Sequence, residues 1–186
     1  EILSSVNCKK IVDLGCGAGQ FLIDACTQIE HLEGVGLDIS RPAIDLANKL
    51  TAERGLNGRL QFEVADAFAP QTWPAGCLSA DVVCAVGVLH EHFRAGEQAV
   101  IDILNTYADL FSGTTKVFVL GEPELRYDLV KNDSDLYLVH IFTAQGFPRR
   151  REDWLPIIER SKLMCRRIYT RPDAGPRFNF FELVPR

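Results

Sequence analysis

Short apolar segments alternate with segments of helical periodicity along most of this chain. The apolar segments predict five strands, at Lys10–Leu14, Gly34–Asp38, Leu60–Ala65, Ala80–Val86 and Lys116–Leu120. Between them, apolar residues recur every three to four positions, which predicts helices at Gln20–Glu30, from Ser40 to Gly55, and at Ala95–Phe111. This alternation is typical of an α/β fold, in which helices cover both faces of a mostly parallel sheet.

The C-terminal part of the chain has a different pattern. A helix is predicted at Arg151–Ser161, followed by strands at Leu163–Tyr169 and Phe178–Val184. A loop containing proline, aspartate and glycine joins these two strands, which favours an antiparallel hairpin that closes the sheet. The length fits one compact core domain over residues 1–186. Because the chain starts at Glu1 and enters a strand almost at once, we expect it to be part of a longer polypeptide.

Charge and cysteine usage narrow the classes of partner. The net charge of −5 argues against a general nucleic-acid binder, which neutralises phosphates with a basic face, and favours a small molecule or another protein. The six cysteines have no paired spacing, so reduced structural thiols are expected. The sequence has neither a bilayer-length apolar run nor a signal peptide, so we expect a cytoplasmic location and no membrane partner.

Three glycines mark the turn between the first predicted strand and the first predicted helix. The segment reads DLGCGAG from Asp13 to Gly19. Glycines at such a turn let a ligand approach the backbone closely. Dinucleotide-binding turns space their glycines as G-x-G-x-x-G and hold a pyrophosphate, whereas this one is G-x-G-x-G and directly follows an aspartate.

Carboxylates beside this turn favour a cationic nucleoside over a phosphate. S-adenosylmethionine carries an ammonium and a sulfonium but no phosphate. Asp38, about 20 residues past the glycines, is placed to accept the ribose hydroxyls, as an acid does in NAD sites. Asp66 follows the third strand and can accept the adenine amino group, while the amide of Ala67 meets a ring nitrogen. Taken singly, each of these residues has an equally good structural explanation as a turn or cap.

The segments DLGCGAG, GVGLDIS and VADAF, taken in this order, resemble the first three motifs of class I S-adenosylmethionine-dependent methyltransferases. The resemblance covers nearly the whole chain. It implies a Rossmann-like sheet of seven strands with an antiparallel last strand. It also implies that the cofactor-binding residues are Asp13, Gly15, Cys16, Gly17, Gly19, Asp38, Ile39, Asp66, Ala67 and Val88.

The segment after the fourth strand, Gly87–His92, holds two histidines beside the expected methyl position. His90 or His92 can accept a proton near neutral pH. The alternative is that the segment only packs over the adenosine or caps a helix.

The segment HIFTAQGFPRRREDW carries a second resemblance. By spacing alone, His140 and Gln145 are poor evidence of a metal site. The segment is similar, however, to metal-dependent methyltransferase domains that methylate malonyl units in polyketide loading modules of the apratoxin and saxitoxin type. That resemblance implies that His140 and Gln145 ligate an iron or manganese ion, which would help to form an enolate for carbon methylation. His140 is thereby also a candidate catalytic residue.

Three functions follow from these patterns. The first is carbon methylation of a malonyl-type acyl group on an acyl carrier protein, within a multidomain synthase. The second is metal-independent O- or N-methylation of a small molecule, with His90 as the base. The third is a non-catalytic domain that binds S-adenosylmethionine as a scaffold.

Overall fold

The computed structural model describes residues 2–124, 150–170 and 177–186, and of Arg177 only the backbone. Within these residues the strands are β1 (Lys10–Leu14), β2 (Glu33–Asp38), β3 (Leu60–Val64), β4 (Val82–Val86), β5 (Val117–Glu124), β6 (Leu163–Thr170) and β7 (Arg177–Pro185). The α-helices are α1 (Ile2–Ser5), α2 (Gln20–Gln28), α3 (Arg41–Glu53), α4 (Glu97–Ala108) and α5 (Arg151–Glu159). Short 3₁₀ helices lie at Pro70–Thr72, Ala75–Ser79, Leu89–Ala95 and Asp109–Ser112.

The strands form one seven-stranded sheet in the order β3-β2-β1-β4-β5-β7-β6. β1 pairs in parallel with β2 and β4, and β2 with β3. β6 and β7 pair antiparallel, with a bulge between Cys165 and Arg167. These pairings confirm the predicted α/β class and the C-terminal hairpin. Because the first four strands are parallel, the carboxyl ends of β1, β2, β3 and β4 share one edge of the sheet.

Local chemistry explains where several elements begin and end. Ser40 caps α3 by accepting a hydrogen bond from the amide of Ala43 (3.4 Å), as its position predicts. β4 begins at Val82, two residues later than predicted. The carboxylate of Asp81 accepts the amides of Lys9 and Lys10 (2.9 and 3.1 Å), so this residue anchors the start of β1 through its side chain.

The predicted helix at Ala95–Phe111 is shorter in the structure. Gly96 has φ 91° and ψ 164°, a non-helical conformation, so α4 begins at Glu97 and ends at Ala108. The 3₁₀ helix Leu89–Ala95 before it is not predicted by the periodicity. β5 continues four residues past its predicted end and is buried along its whole length.

Two compact units make up the chain. The first comprises Glu1–Val86 and Leu110–Phe118, and the second Gly87–Asp109 and Val119–Arg186. The first unit buries the apolar residues of α2 and α3, among them Leu22 and Ile44. In the second unit Trp154 of α5 is 1% exposed and packs edge-on against Phe93, with ring centroids 5.3 Å apart. Such an aromatic pair contributes about 0.5 to 1.5 kcal/mol beyond its buried area.

The expectation of a single domain stays a prediction. Among the helices that the structure describes, none is both long and apolar enough to cross a bilayer.

Candidate functional site

The glycine turn between β1 and α2 needs glycine for two different reasons. Gly17 and Gly19 both have positive φ, 53° and 75°, a conformation that side chains disfavour. A β-carbon on Gly19 would lie 2.5 Å from the ring of Phe62, so this glycine is required by internal packing. A β-carbon on Gly17 would meet no atom within 4 Å among the described residues. Gly17 is therefore the position of the two where the backbone borders open space that a ligand can fill.

Asp38 connects the end of β2 to this turn. Its Oδ2 accepts a hydrogen bond from the amide of Gly17 (2.9 Å), and its Oδ1 accepts one from the amide of Ser40 (2.8 Å). A carboxylate offers about four acceptor positions, so each oxygen can take a further donor. The arrangement holds an acceptor for two hydroxyl groups beside the open backbone at Gly17.

Asp13, directly before the turn, is buried in β1. It is 4% exposed, and the thiol of Cys84 donates to its Oδ1 at 3.3 Å. Burial raises the pKa of Asp13 to about 7. The Cys84 hydrogen bond opposes this shift, and the charge of Asp38 adds to it. Burial likewise raises the pKa of the Cys16 thiol in the turn. The cysteines in the described part of the chain are free thiols.

Exposed apolar side chains lie at the carboxyl ends of β2 and β3. Ile39 is 74% exposed, and Val64, which pairs with Asp38 in the sheet, is 39% exposed. Asp66 is exposed. Its Oδ1 accepts the amide of Phe68 (2.9 Å), and its carbonyl accepts the indole N–H of Trp73 (2.8 Å). Ala67 is buried.

The second unit contains a buried histidine–glutamate pair. His90 lies in the 3₁₀ helix after β4 and is 6% exposed. Its Nδ1 is 2.8 Å from Oε2 of Glu122 on β5, and the amide of Leu89 donates to Oε1 of the same carboxylate at 2.8 Å. Glu122 is buried, and burial raises its pKa, opposed by His90 and by the amides of Leu89 and Val88.

This geometry prepares His90 to accept a proton. When Glu122 accepts a hydrogen bond from Nδ1–H, the lone pair of the imidazole is on Nε2. That atom lies 3.5 Å from Oε1 of Glu91, a side chain that is 53% exposed. A carboxylate held at Nδ1 also stabilises the imidazolium that forms when Nε2 takes up a proton. The pair therefore has the chemistry of a general base.

Glu122 is not among the site residues predicted from the sequence, although a signal was present. β5 reads VFVLGEPE and is buried throughout, so its two glutamates need partners. Glu122 pairs with His90, and Oε2 of Glu124 accepts from the side-chain amide of Asn179 at 3.4 Å. An acidic residue inside an otherwise apolar strand was the clue.

Gly15, also in the glycine turn, has φ 70°, and its amide donates to the carbonyl of Leu37 at 2.7 Å. The other predicted site residues divide into two groups. Val88 and His92 are half-buried residues on either side of His90. His140 and Gln145, the predicted iron or manganese ligands, lie outside the described residues. Among residues 2–124, 150–170 and 177–186, no group of three histidine, cysteine or acidic side chains is arranged to hold a metal ion.

Comparison with known proteins gives a family and several relatives. A family model described as a methyltransferase domain matches residues 6–134. The 3-hydroxy-5-methyl-1-naphthoate 3-O-methyltransferase of Streptomyces sahachiroi is 36% identical over 83 residues, which cover 45% of this chain and 23% of that protein. The methyltransferase ungE' of Aspergillus campestris is 37% identical over 59 residues, covering 32% of this chain and 17% of that protein.

Solved structures share the fold at low sequence identity. The mitomycin 7-O-methyltransferase MmcR superposes with a TM-score of 0.75 at 23% identity. An O-methyltransferase from neocarzinostatin biosynthesis, in complex with S-adenosyl-L-homocysteine and 1,4-dihydroxy-2-naphthoic acid, gives 0.75 at 22% identity. Each match covers 97% of this chain and 50% of the other. The chain thus spans about half the length of these structures, and less than a quarter of the two curated relatives above.

Proposed function

We propose that this chain, which belongs to the family of methyltransferase domains, binds S-adenosylmethionine and methylates a hydroxyl oxygen of a small aromatic molecule. The observation that carries this proposal is the buried His90–Glu122 pair, which has the chemistry needed to deprotonate a hydroxyl group. A relative named as a naphthoate 3-O-methyltransferase supports an aromatic acceptor, as does the structure of an O-methyltransferase in complex with 1,4-dihydroxy-2-naphthoic acid.

The first unit fits the cofactor on chemical grounds. Asp38 would accept the two ribose hydroxyls, next to the backbone left open at Gly17. The exposed apolar surface of Ile39 and Val64 would contact the adenine, whose amino group Asp66 would accept. Carboxylates around the turn also suit the cofactor's positive charges and disfavour a phosphate. When bound, S-adenosylmethionine supplies a methyl group that is already activated by the adjoining sulfonium.

The second unit supplies the proton chemistry. A phenol has a pKa near 10, so at neutral pH little of it is the more nucleophilic phenolate. His90 would take the phenol proton at Nε2, and Glu122 would stabilise the resulting imidazolium through Nδ1. A positioned general base of this kind contributes roughly a hundredfold to ten-thousandfold to the rate. The other functional requirement, alignment of the oxygen with the methyl group, contributes through proximity and orientation.

Carbon methylation of a carrier-bound malonyl group has less support. It depends on residues 140–154, of which 140–149 lie outside the described residues. Three of the four proteins named above are O-methyltransferases. The metal-independent alternative stated from the sequence therefore fits better. Metal binding, an acyl carrier partner and a cytoplasmic location stay predictions.

Methyl transfer from isotopically labelled S-adenosylmethionine separates these alternatives. The acceptors would be a panel of phenols and hydroxynaphthoates, and a malonyl thioester of an acyl carrier protein, each with and without a chelator. We expect labelled methyl ethers of the aromatic acceptors, at rates that the chelator leaves unchanged. Carbon methylation of the malonyl thioester alone, abolished by the chelator, would instead establish the metal-dependent function. Absence of transfer to every acceptor would favour the scaffold role.

A further inference from the structure

Two phenylalanines of β7 share one face of the strand and stay partly accessible. Phe178 and Phe180 are two residues apart, which places both side chains on the same side of the sheet. Both are half-buried, and their rings stack with centroids 6.3 Å apart and planes inclined by 30°. Phe181, on the opposite face, is fully buried beside Trp154. Phe181 therefore serves the core, whereas the Phe178–Phe180 pair retains aromatic surface that the described residues do not fully cover.

The ring of Phe178 lies close to the proposed base. A β-carbon placed on Gly87 would be 3.7 Å from Cε1 and 3.8 Å from Cζ of Phe178, and 4.0 Å from Cε1 of His90. The two rings thus approach the same point above Gly87. Cε1 of His90 is bonded to Nε2, the atom proposed to accept the proton. Phe180 lies two residues further along β7, and none of its atoms is among those nearest to this point.

Position 87 matters because a glycine occupies it. Gly87 has φ 68°, a backbone conformation that side chains disfavour. A β-carbon at this position would already be in van der Waals contact with both Phe178 and His90. A planar aromatic acceptor that lay against Phe178 would therefore be next to the imidazole of His90, whereas an aliphatic alcohol would gain little from the aromatic ring.

We propose that Phe178 is a specificity-determining residue, which orients a planar aromatic acceptor by ring contact so that its hydroxyl meets His90. This inference rests on the proposed function and adds to it a residue that would contact the acceptor. Stacked or edge-on aromatic pairs contribute about 0.5 to 1.5 kcal/mol, which corresponds to roughly a twofold to tenfold change in affinity for the acceptor.

The test compares Phe178→Leu with the matched control Phe180→Leu, which removes a ring from the same face of the same strand but not beside His90. Acceptors would be 1,4-dihydroxy-2-naphthoic acid and other naphthols and phenols, measured by methyl transfer and by binding to the protein loaded with S-adenosylhomocysteine. We expect Phe178→Leu to raise the KM and the Kd for the acceptor roughly twofold to tenfold. We expect Phe180→Leu to change them by less than about twofold, and Phe178→Tyr to restore the parent values.

Cofactor affinity and pH dependence distinguish this role from general damage. The Kd for S-adenosylmethionine and the pH profile of kcat should stay the same in all three variants, because neither Glu122 nor the glycine turn is altered. Equal effects of Phe178→Leu and Phe180→Leu, or no effect of either, would overturn the inference while leaving the proposed function intact. A parent protein that neither binds nor methylates any aromatic acceptor would overturn both.

Discussion

The buried carboxyl of Asp13 gives a quantitative prediction about stability and pH. Burial raises its pKa from 3.8 to about 7, so the folded protein keeps a proton there that the unfolded chain loses above about pH 4. Between these pH values the folded state binds more protons than the unfolded state. The free energy of unfolding therefore falls as pH rises and levels off above about pH 7.

The size of this effect follows from the shift. Each pH unit across the window removes about 1.4 kcal/mol, so about 2 to 3 kcal/mol of stability is lost between pH 5 and pH 7. Asp13→Asn keeps the shape and the acceptor for the Cys84 thiol but cannot ionise, so its curve lacks this contribution. With a urea slope of roughly 2 kcal/mol per molar, the gap between the midpoints of parent and variant should change by about 1 M over this range.

Urea unfolding at half-unit intervals from pH 5 to pH 8, followed by tryptophan fluorescence, measures this difference. Asp81→Asn is the control. Burial of Asp81 acts to raise its pKa, but hydrogen bonds from Lys116 and from the amides of Lys9 and Lys10 outweigh burial and lower it. The contribution of Asp81 to the free energy of unfolding is therefore lost only as the pH falls below the range measured. A free-energy difference between parent and Asp13→Asn that stays constant from pH 5 to pH 8 would show that Asp13 does not hold a proton in the folded protein.

Two further predictions concern the cofactor site. Asp38→Ala should weaken S-adenosylmethionine binding roughly tenfold to a hundredfold, because it removes a charged acceptor worth about 1.5 to 3 kcal/mol; an unchanged Kd by calorimetry would remove Asp38 from the site. Gly17→Val should abolish binding by filling the open space at the turn. Gly55→Val is its control, since Gly55 also has positive φ and open space but lies just past the end of α3. If both variants lose similar stability but only Gly17→Val loses cofactor binding, the cofactor contacts the backbone at Gly17. Normal binding by Gly17→Val would contradict this assignment.

The sequence predicts the fold well because sheet and helices have different periods. Buried parallel strands need continuous apolar runs. In β1 these are supplied by Ile11, Val12 and Leu14, and in β4 by Val82 and Val83. The predicted ends of strands and helices were less accurate where a side chain or a backbone angle determines the end. Asp81 does so before β4, and Gly96 does so before α4. These depend on contacts or conformations that periodicity does not encode.

The candidate site was only partly predictable for a related reason. Motif order pointed to Asp38, and the position after the fourth strand pointed to His90. The glycine motif cannot distinguish Gly17 from Gly19, because the difference lies in the ring of Phe62 on another strand. Glu122 and Phe178 are separated from His90 by 32 and 88 positions in the chain, and only the folded structure brings them beside it. His140 and Gln145 lie outside the described residues, so their predicted role stays untested.

Single-turnover methyl transfer at saturating S-adenosylmethionine tests whether His90 is the general base. The acceptor would be one that the parent protein methylates. The variants would be His90→Gln and Glu122→Gln. We expect His90→Gln to lower the rate roughly a hundredfold to ten-thousandfold, and Glu122→Gln to lower it roughly tenfold to a hundredfold by removing a charged hydrogen bond. The Kd for the cofactor should not change in either variant. A parental rate in His90→Gln, with the fold and cofactor binding intact, would contradict the account.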